Sequence, residues 1–398
     1  MVAVTRALVF YLYGPENAGD MAICLGTIGF LRRHGIDVTA VSRFDAVAPD
    51  FAASCNLVHK YYPEVEVVPG TFALDRSAGK ASVAGQYAAG AVKLLLRIGD
   101  VRVSELVRRA DVVFFNGGNL LRCSSVTDAI RLEALFHPLR IARRMRKRVI
   151  CLPQSTATVS PRWKVFLGRK LALFDETFVR EGASLQRLRT LFPALGFSKS
   201  TDMAFFMDDP ENSLRTGEAR AAMIVRGTGI GDIGELSRDR QDELLDSFVG
   251  FAEAHPELAY TVVVQTKKDR ALSERLVGLL PNDTDLVEEH DPFRLLSIYK
   301  SMDVTLSMRL HAAILSLRAG TPVIGLFDKE WGLKNIGLMS DYGMGYGDGA
   351  KGLLSEYRRI AEEFDSGRLE ASISSYEQEL AAALGFSRQT PNQQFVER

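Results

Sequence analysis

The chain is poor in the residues that typify redox, metal-binding and membrane-spanning proteins. Its 398 residues include four cysteines and six histidines, and these form no paired-histidine, HExxH or cysteine-cluster motif. We therefore predict no metal site, and we interpret the scattered cysteines as small core residues in a reducing compartment. No apolar run approaches the ~20 residues that cross a bilayer. Since the N-terminus also lacks a secretory cleavage pattern, we expect a cytoplasmic protein.

A charge excess of either sign is also lacking. Lys+Arg and Asp+Glu balance at 49 each, so the overall charge gives no indication of a nucleic acid partner or of an anionic membrane. What is present is an ordinary globular composition with 46% hydrophobic residues, enough for a full core. The length predicts two domains of ordinary size.

Short β-branched runs alternate with helical periods along the whole chain, a pattern typical of parallel sheets with crossover helices. The last strand expected in the first half covers residues 201–206. A polar, proline-containing stretch at 207–213 then marks a linker, and a second α/β series ends in two amphipathic helices. We predict an α/β fold of two doubly wound Rossmann-like domains facing a central cleft, with residues 1–210 in the first and 211–398 in the second.

The most informative segment is Ser307-Met308-Arg309-Leu310-His311, where a predicted strand passes into an apolar helix. Open α/β sheets bind ligands outside the carboxyl ends of their strands, and the N–H groups of a helix start favour an anion. An arginine and a histidine at this place indicate chemistry on a phosphate or carboxylate. We predict His311 as the catalytic residue, because imidazole transfers protons near neutral pH.

Further cations are predicted near the same edge. Arg226 ends the first strand of the second domain, so that Arg226 and Arg309 would converge on one anion. Alternatively, Arg226 pairs with an acid such as Asp232. Lys329 and Lys334 follow the next strand and either add positive charge to the anion site or face solvent.

In the first domain, polar residues follow several predicted strands and would share one edge of the sheet: Asn17, Asp20, Asn116, Gln154, Ser155 and Arg180. Asp20 is placed to cap the first helix, either as a cap alone or with an additional contact to a sugar hydroxyl. Arg180 is either an interior ion-pair partner or an anion ligand. The coincidence of these polar residues on one edge favours a binding role for the group.

Together these motifs resemble the polysaccharide pyruvyl transferase family. The matching features are the loop Asn17-Ala18-Gly19-Asp20, the pairs Gly117-Gly118 and Gln154-Ser155, Arg180 to Ser184, Asp202, and Ser307 to His311 with Gly320-Thr321-Pro322. The chain departs from the family pattern where Asn116 and Asn119 flank the glycines, without a third glycine. The resemblance spans roughly residues 10 to 340 and implies a glycosyltransferase-B-like fold.

The resemblance also implies an activity, the transfer of pyruvate from phosphoenolpyruvate to a sugar with release of phosphate. Arg226 and Arg309 would hold the phosphate and carboxylate of the donor, and His311 would act as general acid or base. The polar residues of the first domain would face the acceptor, a glycan, glycolipid precursor or glycoside. Phosphoenolpyruvate is then a co-substrate, no separate cofactor is expected, and a lipid-linked acceptor would place the protein at the inner face of the membrane.

Two alternatives remain at this point. A glycosyltransferase that uses a nucleotide sugar would share the two-domain frame, although no strand-end carboxylate that could hold a ribose is evident in the second domain. A sugar-binding relative without catalysis would also keep the fold. The pair Arg309 and His311 argues against that second alternative.

Overall fold

The computed structural model of the chain describes residues 5–70, 85, 89–90, 92, 96–97, 99–156, 159–209, 218–227, 237–281, 283–327, 333–347 and 349–386. The chain divides into two compact units. The first contains the chain up to Gly14, Ile23–Phe206 and the chain from Ser375 onward, and the second contains Pro15–Ala22 and Met207–Ser374. The sequence-based boundary lay at residue 210, with all residues from 211 to 398 assigned to the second domain.

The first unit is built on a parallel sheet in the order β3-β2-β1-β4-β5-β6-β7. Its central strands are buried, as in sheets covered by helices on both faces. The strand order reverses between β1 and β4, which pair directly, with Leu8 opposite Val113. The strands are β1 Arg6–Leu12, β2 Asp37–Ser42, β3 Glu66–Val68, β4 Val112–Phe115, β5 Arg148–Gln154, β6 Glu176–Val179 and β7 Ser198–Lys199.

Helices connect these strands and bury their apolar faces against the sheet. They are α1 Ala18–Arg33, α2 Pro49–Tyr61, α3 Asp100–Arg109, α4 Val126–Arg144, α5 Lys164–Leu171 and α6 Gly182–Leu191. Helix α1 packs so closely that a Cβ atom on Gly26 would lie 1.9 Å from the Met203 carbonyl oxygen. Glycine is therefore required at this helix position by contact with neighbouring backbone.

The strand predicted over residues 201–206 is wrong. Met203–Phe206 forms a 3₁₀ helix, which follows the short strand β7. The cause is Asp202, whose Oδ1 accepts a hydrogen bond from the Ala204 N–H at 2.9 Å while its carbonyl accepts one from the Phe205 N–H at 3.0 Å. Local aspartate hydrogen bonds of this kind turn the chain and compete with strand pairing.

The second unit is built on a parallel sheet in the order β10-β9-β8-β11-β12-β13. Met223 of the central strand lies between Val262 and Leu306, and the order reverses between the neighbouring strands β8 and β11. The strands are β8 Arg220–Ile224, β9 Ala259–Val264, β10 Asp285–Glu288, β11 Val304–Ser307, β12 Val323–Leu326 and β13 Tyr346–Gly347. Both sheets thus have the doubly wound arrangement, and the predicted α/β class with two Rossmann-like units is confirmed.

The helices of the second unit are α7 Arg238–Ala254, α8 Arg270–Val277, α9 Pro292–Lys300, α10 Leu310–Arg318, α11 Leu333–Asp341, α12 Gly349–Glu363 and α13 Ser366–Leu384. Phe248 and Phe251 of α7 are fully buried and pack into the core formed with the sheet. The two predicted C-terminal helices correspond to α12 and α13. Of the helices that the structure describes, none is long and apolar enough to span a membrane.

The end of α13 contributes to the first unit. Glu377 accepts a hydrogen bond from Arg33 at 2.8 Å, and the Leu384 carbonyl accepts one from Arg148 at 2.7 Å. Phe386 then lies 6.2 Å from Phe30, centroid to centroid. The first unit is therefore assembled from chain segments that are distant in sequence.

Candidate active site

The strand-order reversal of the second sheet brings three predicted site residues to one edge. Strand β8 ends at Ile224, which pairs with Ser307 at the end of β11. The Met308 N–H continues this pairing with a 2.9 Å hydrogen bond to the Ile224 carbonyl. Arg226, Arg309 and His311 follow these strand ends directly, at the place where doubly wound sheets bind their ligands.

Arg309 is held firmly at the start of α10. It is the N-cap residue of that helix, with extended backbone angles, and its own side chain does not cap the helix. Its N–H donates to Ser307 Oγ at 3.0 Å, and its Nε donates to Asp269. Because the residue is only 9% exposed, the guanidinium is fixed in orientation before any ligand binds.

Asp269 is a site residue that the sequence patterns did not predict. It ends the 3₁₀ helix Lys267–Asp269 after β9 and is 1% exposed. One carboxylate oxygen accepts from Arg309 and the other accepts from the Gly227 N–H at 3.1 Å. The carboxylate thus links the ends of β8, β9 and β11. The available signal was its place just beyond a buried strand, the same criterion that selected the arginines.

Arg226 shares the environment of Arg309. Burial, followed by the positive charge of Arg309, lowers the pKa of Arg226 to about 10, while the charge of Asp269 acts in the opposite direction. Two neighbouring guanidinium groups raise each other's energy, and a bound anion would offset this repulsion. Asp232 and Lys329 lie outside the described residues, and Lys334 lies in α11 with a side chain that is not described.

His311 lies in the first turn of α10, where its ring packs against Gly19. A Cβ atom on Gly19 would lie 2.4 Å from His311 Nδ1. The segment Pro15–Ala22 belongs to the same compact unit as His311. The structure therefore brings the Asn17–Asp20 loop to the imidazole, a proximity that no local sequence pattern could show.

The cap of α1 is Asn17. Its Oδ1 accepts from the Gly19 N–H at 3.2 Å, and its carbonyl accepts from the Met21 N–H at 3.1 Å. The expectation that Asp20 caps this helix is wrong, because the helix begins at Ala18 and places Asp20 within the first turn, half-buried. Asn17 also forms an isolated bridge with Thr266, beyond the end of β9.

In the first unit, Asn116 and Gln154 are buried and hold the glycine loop that follows β4. Asn116 Oδ1 accepts from Thr27 Oγ1 at 2.8 Å and from the Gly117 N–H at 2.9 Å. Gln154 Oε1 accepts from the Leu120 N–H at 3.0 Å, and its Nε2 donates to the Asn116 carbonyl. These amides fix the loop, and their predicted contact with an acceptor stays a prediction.

Ser155 and Arg180 meet in a buried ionic network. Arg180 donates to Ser155 Oγ and pairs with Asp202, and Ser155 Oγ donates to Glu181 at 2.9 Å. All four residues are at most 2% exposed, so the interior ion pair of Arg180 is the alternative that the structure shows. Neither these carboxylates nor any other described His, Cys, Asp and Glu residues form a group of three that could hold a metal ion.

The sequence of the chain was compared with models of known protein families. The family model described as polysaccharide pyruvyl transferase matches residues 17–326. The chain belongs to this family. Membership confirms the predicted family and the prediction of a transferase, and it implies a sugar or polysaccharide acceptor.

Solved structures show the same fold at low sequence identity. A Listeria monocytogenes protein described as a UDP-N-acetylglucosamine 2-epimerase is 12% identical, with a TM-score of 0.58 over 99% of this chain and 100% of the other. The UDP-GlcNAc 2-epimerase of Neisseria meningitidis, solved with UDP-GlcNAc, is 10% identical, with a TM-score of 0.54 over 96% and 100%. Anabaena HepE, solved with UDP and glucose, is 12% identical, with a TM-score of 0.55 over 96% and 99%. These likenesses establish the glycosyltransferase-B-like fold, whereas a search of the curated proteins found no match.

Proposed function

We propose that this pyruvyl transferase takes its pyruvyl group from phosphoenolpyruvate and transfers it to hydroxyls of a sugar, releasing phosphate. The observation that carries the proposal is the pairing of Arg226 and Arg309 beside His311 at the reversal point of the second sheet. Arginine forks suit carboxylate and phosphate groups, and phosphoenolpyruvate carries one of each. A small ligand with two anionic groups is the partner that this charge arrangement favours.

Electrostatics would then supply much of the catalysis. Asp269 holds the Arg309 guanidinium in place, so little reorganisation is needed when charge develops on the departing phosphate. The start of α10, which carries both Arg309 and His311, adds the partial positive charge of a helix N-terminus. Lys329 and Lys334 are proposed to add to this positive charge.

The reaction proceeds in two bond-forming steps. A sugar hydroxyl attacks C2 of phosphoenolpyruvate, and the proton lost by the hydroxyl is matched by one gained at C3, which becomes a methyl group. The C2–O bond to phosphate then breaks, a neighbouring hydroxyl bonds to C2 and gives its proton to the departing phosphate, and a cyclic ketal remains. His311 is proposed to accept or donate the proton at the attacking oxygen or at C3.

The acceptor side is proposed to involve two kinds of residue. Asn17 and Asp20 lie at the start of α1, in the segment that reaches His311, and would contact sugar hydroxyls there. Asn116, Gln154, Ser155 and Arg180 are buried, so they would act by shaping the loops that contact the sugar. With these two roles, the half-buried residues contact the sugar directly and the buried residues stay buried.

The direct test is incubation of the protein with phosphoenolpyruvate and a set of glycosides, followed by mass spectrometry. We expect a glycoside product that carries one pyruvyl group, together with stoichiometric phosphate. The variant Arg226→Gln, which has no fixed charge, should bind phosphoenolpyruvate at least tenfold more weakly. Donor-independent products, or no pyruvyl product with any glycoside class, would count against the proposal.

A nucleotide-sugar glycosyltransferase is the second candidate, because two structural neighbours were solved with UDP or a UDP-sugar. Thermal shift separates the candidates, since a ligand that binds only the folded state raises its melting temperature. Stabilisation by phosphoenolpyruvate and not by UDP, GDP or CMP supports pyruvyl transfer. The reverse pattern supports the glycosyltransferase, and a sugar-induced shift without any turnover supports a non-catalytic relative.

A further inference from the structure

We infer that Gly19 is a positioning residue for His311, acting through direct contact with the imidazole. This inference rests on the proposed function for its catalytic consequence, but the contact itself is a property of the fold. Gly19 lies in the first turn of α1, and His311 lies in the first turn of α10. Because residue 19 has no side chain, the backbone at the start of α1 can pack directly against the imidazole.

The fit around the ring is close. A Cβ atom on Gly19 would lie 2.4 Å from Nδ1, 2.5 Å from Cγ and 2.5 Å from Cβ of His311. Real Cβ atoms essentially never make contacts below 3.0 Å. A side chain therefore cannot be added at position 19 while His311 keeps its present position. Any residue other than glycine would push the ring away from its position or displace the start of α1.

The backbone conformation does not explain the glycine. The described glycines with positive φ are Gly35, Gly99, Gly118, Gly320, Gly343, Gly349 and Gly385, and Gly19 is not among them. Within a helix, glycine loses more conformational entropy than alanine, so on backbone grounds alanine would be preferred at this position. Close approach of His311 is the reason that the structure offers.

Contacts on both sides of Gly19 also restrict movement of the start of α1 away from His311. Asn17 caps the helix and bridges to Thr266, and both Ala18 and Met21 are fully buried. With the helix start anchored on either side of Gly19, an added methyl group would be accommodated mainly by movement of His311, since both its ring and its Cβ atom lie within 2.5 Å of the added atom. The imidazole would then be misplaced relative to the reacting atoms, while the Arg309 guanidinium, which Asp269 holds, and Arg226 keep their positions.

The test is a double-mutant cycle of Gly19→Ala and His311→Gly, read out by melting temperature and by steady-state kinetics. Gly19→Ala alone should lower the melting temperature and reduce kcat by about 100-fold, the cost of displacing a reacting group by about 1 Å. The dissociation constant for phosphoenolpyruvate should change less than threefold, a split that general loss of structure would not produce. In the His311→Gly background both the ring and the Cβ atom of residue 311 are gone, so Gly19→Ala should produce no further loss in either measurement.

Gly196→Ala is the matched control, since Gly196 is exposed and an added Cβ atom there would have no neighbour within 4 Å. Additive losses of melting temperature in the cycle would overturn the contact. Normal kcat for Gly19→Ala in an active enzyme would overturn the positioning role. Absence of pyruvyl transfer by the unmodified protein would refute the proposed function instead, and the melting temperatures would still report on the contact.

Discussion

Asp269 and Arg309 form a buried ion pair at the edge of the second sheet, with side chains 2% and 11% exposed. Burying both charges costs solvation free energy that their attraction does not always recover. What the pair provides is orientation, because Asp269 also holds the Gly227 N–H and so ties the guanidinium to a fixed point of the backbone. A preorganised guanidinium binds an anion without first losing side-chain freedom.

Replacement of Asp269 should therefore affect both stability and donor binding. Asp269→Asn leaves the Arg309 charge buried without its carboxylate, which should lower the free energy of unfolding by about 3 kcal/mol. The affinity for phosphoenolpyruvate should fall as the guanidinium loses its fixed direction. Urea denaturation and calorimetry measure the two effects. Asp285→Asn is the control, since the 63% exposed Asp285 side chain pairs with Arg220 at the surface and should contribute less than about 1 kcal/mol.

Charge alone should not replace the Arg309 guanidinium. Arg309→Lys retains a positive charge but cannot reproduce the planar fork, so donor affinity should fall about tenfold, corresponding to 1.4 kcal/mol. Arg309→Ala should weaken binding further, because the charge is lost as well. Titration calorimetry measures the affinity of the unmodified protein and of both variants for phosphoenolpyruvate. Equal affinity of the lysine variant and the unmodified protein would show that a point charge suffices.

His311 should be needed for turnover rather than for donor binding. His311→Ala removes the proton-transfer group, and loss of general acid–base catalysis typically costs 10²–10⁴-fold in rate, so we expect a fall in kcat of about 1000-fold. The donor dissociation constant should change little, because the arginines remain. Rapid-quench measurement of phosphate release, with binding measured separately, distinguishes the two quantities. A kcat within threefold of the unmodified enzyme would remove His311 from the mechanism.

Asp128 should make the first unit sensitive to acid. Burial alone would raise the pKa of Asp128, but hydrogen bonds from Ser124 and the hydrogen bond and charge of Arg122 outweigh it and lower the pKa. A depressed carboxylate pKa contributes stability that is complete above the unfolded-state pKa of about 4 and is lost as the pH falls through the lower folded-state value. Asp128→Asn should reduce the free energy of unfolding by about 1–2 kcal/mol at neutral pH and by progressively less below pH ~4.

Denaturant titrations from neutral pH to about pH 2 check this dependence. Asp239→Asn is a suitable control, because Asp239 also lies in the first turn of a helix but is exposed. This variant measures the effect of removing a negative charge from the first turn of a helix where no buried hydrogen bonds are lost. A stability difference for Asp128→Asn that stays constant with pH would contradict the assigned role of its charge.

Local patterns in the sequence predicted the strand ends and the residues that follow them. Arg309 and His311 were identified because β-branched residues stop and an apolar helix begins around them, and Arg226 because it ends a similar run. The family relationship was identified from the same segments. The α/β class followed from alternation that needs no knowledge of distant contacts.

Contacts between distant segments could not be predicted in this way. Asp269 and Arg309 are 40 residues apart, and Arg180 and Asp202 are 22 residues apart, with nothing local to pair them. The contact between Gly19 and His311 joins segments from opposite ends of the region that matches the family. The 3₁₀ helix Met203–Phe206 was missed for a different reason, because a single aspartate turn overrode an apolar run that favours a strand.

The return of α13 to the first unit bears on biosynthesis. Phe30, Arg33 and Arg148 emerge from the ribosome long before Phe386, Glu377 and Leu384, with which they pack or form hydrogen bonds. The amino-terminal sheet can form during translation, but the contacts of the first unit with α13 must wait until that helix has been synthesised. Completion of the first unit therefore follows synthesis of the whole second one, and a nascent chain halted after residue 206 would expose an apolar surface where that helix belongs.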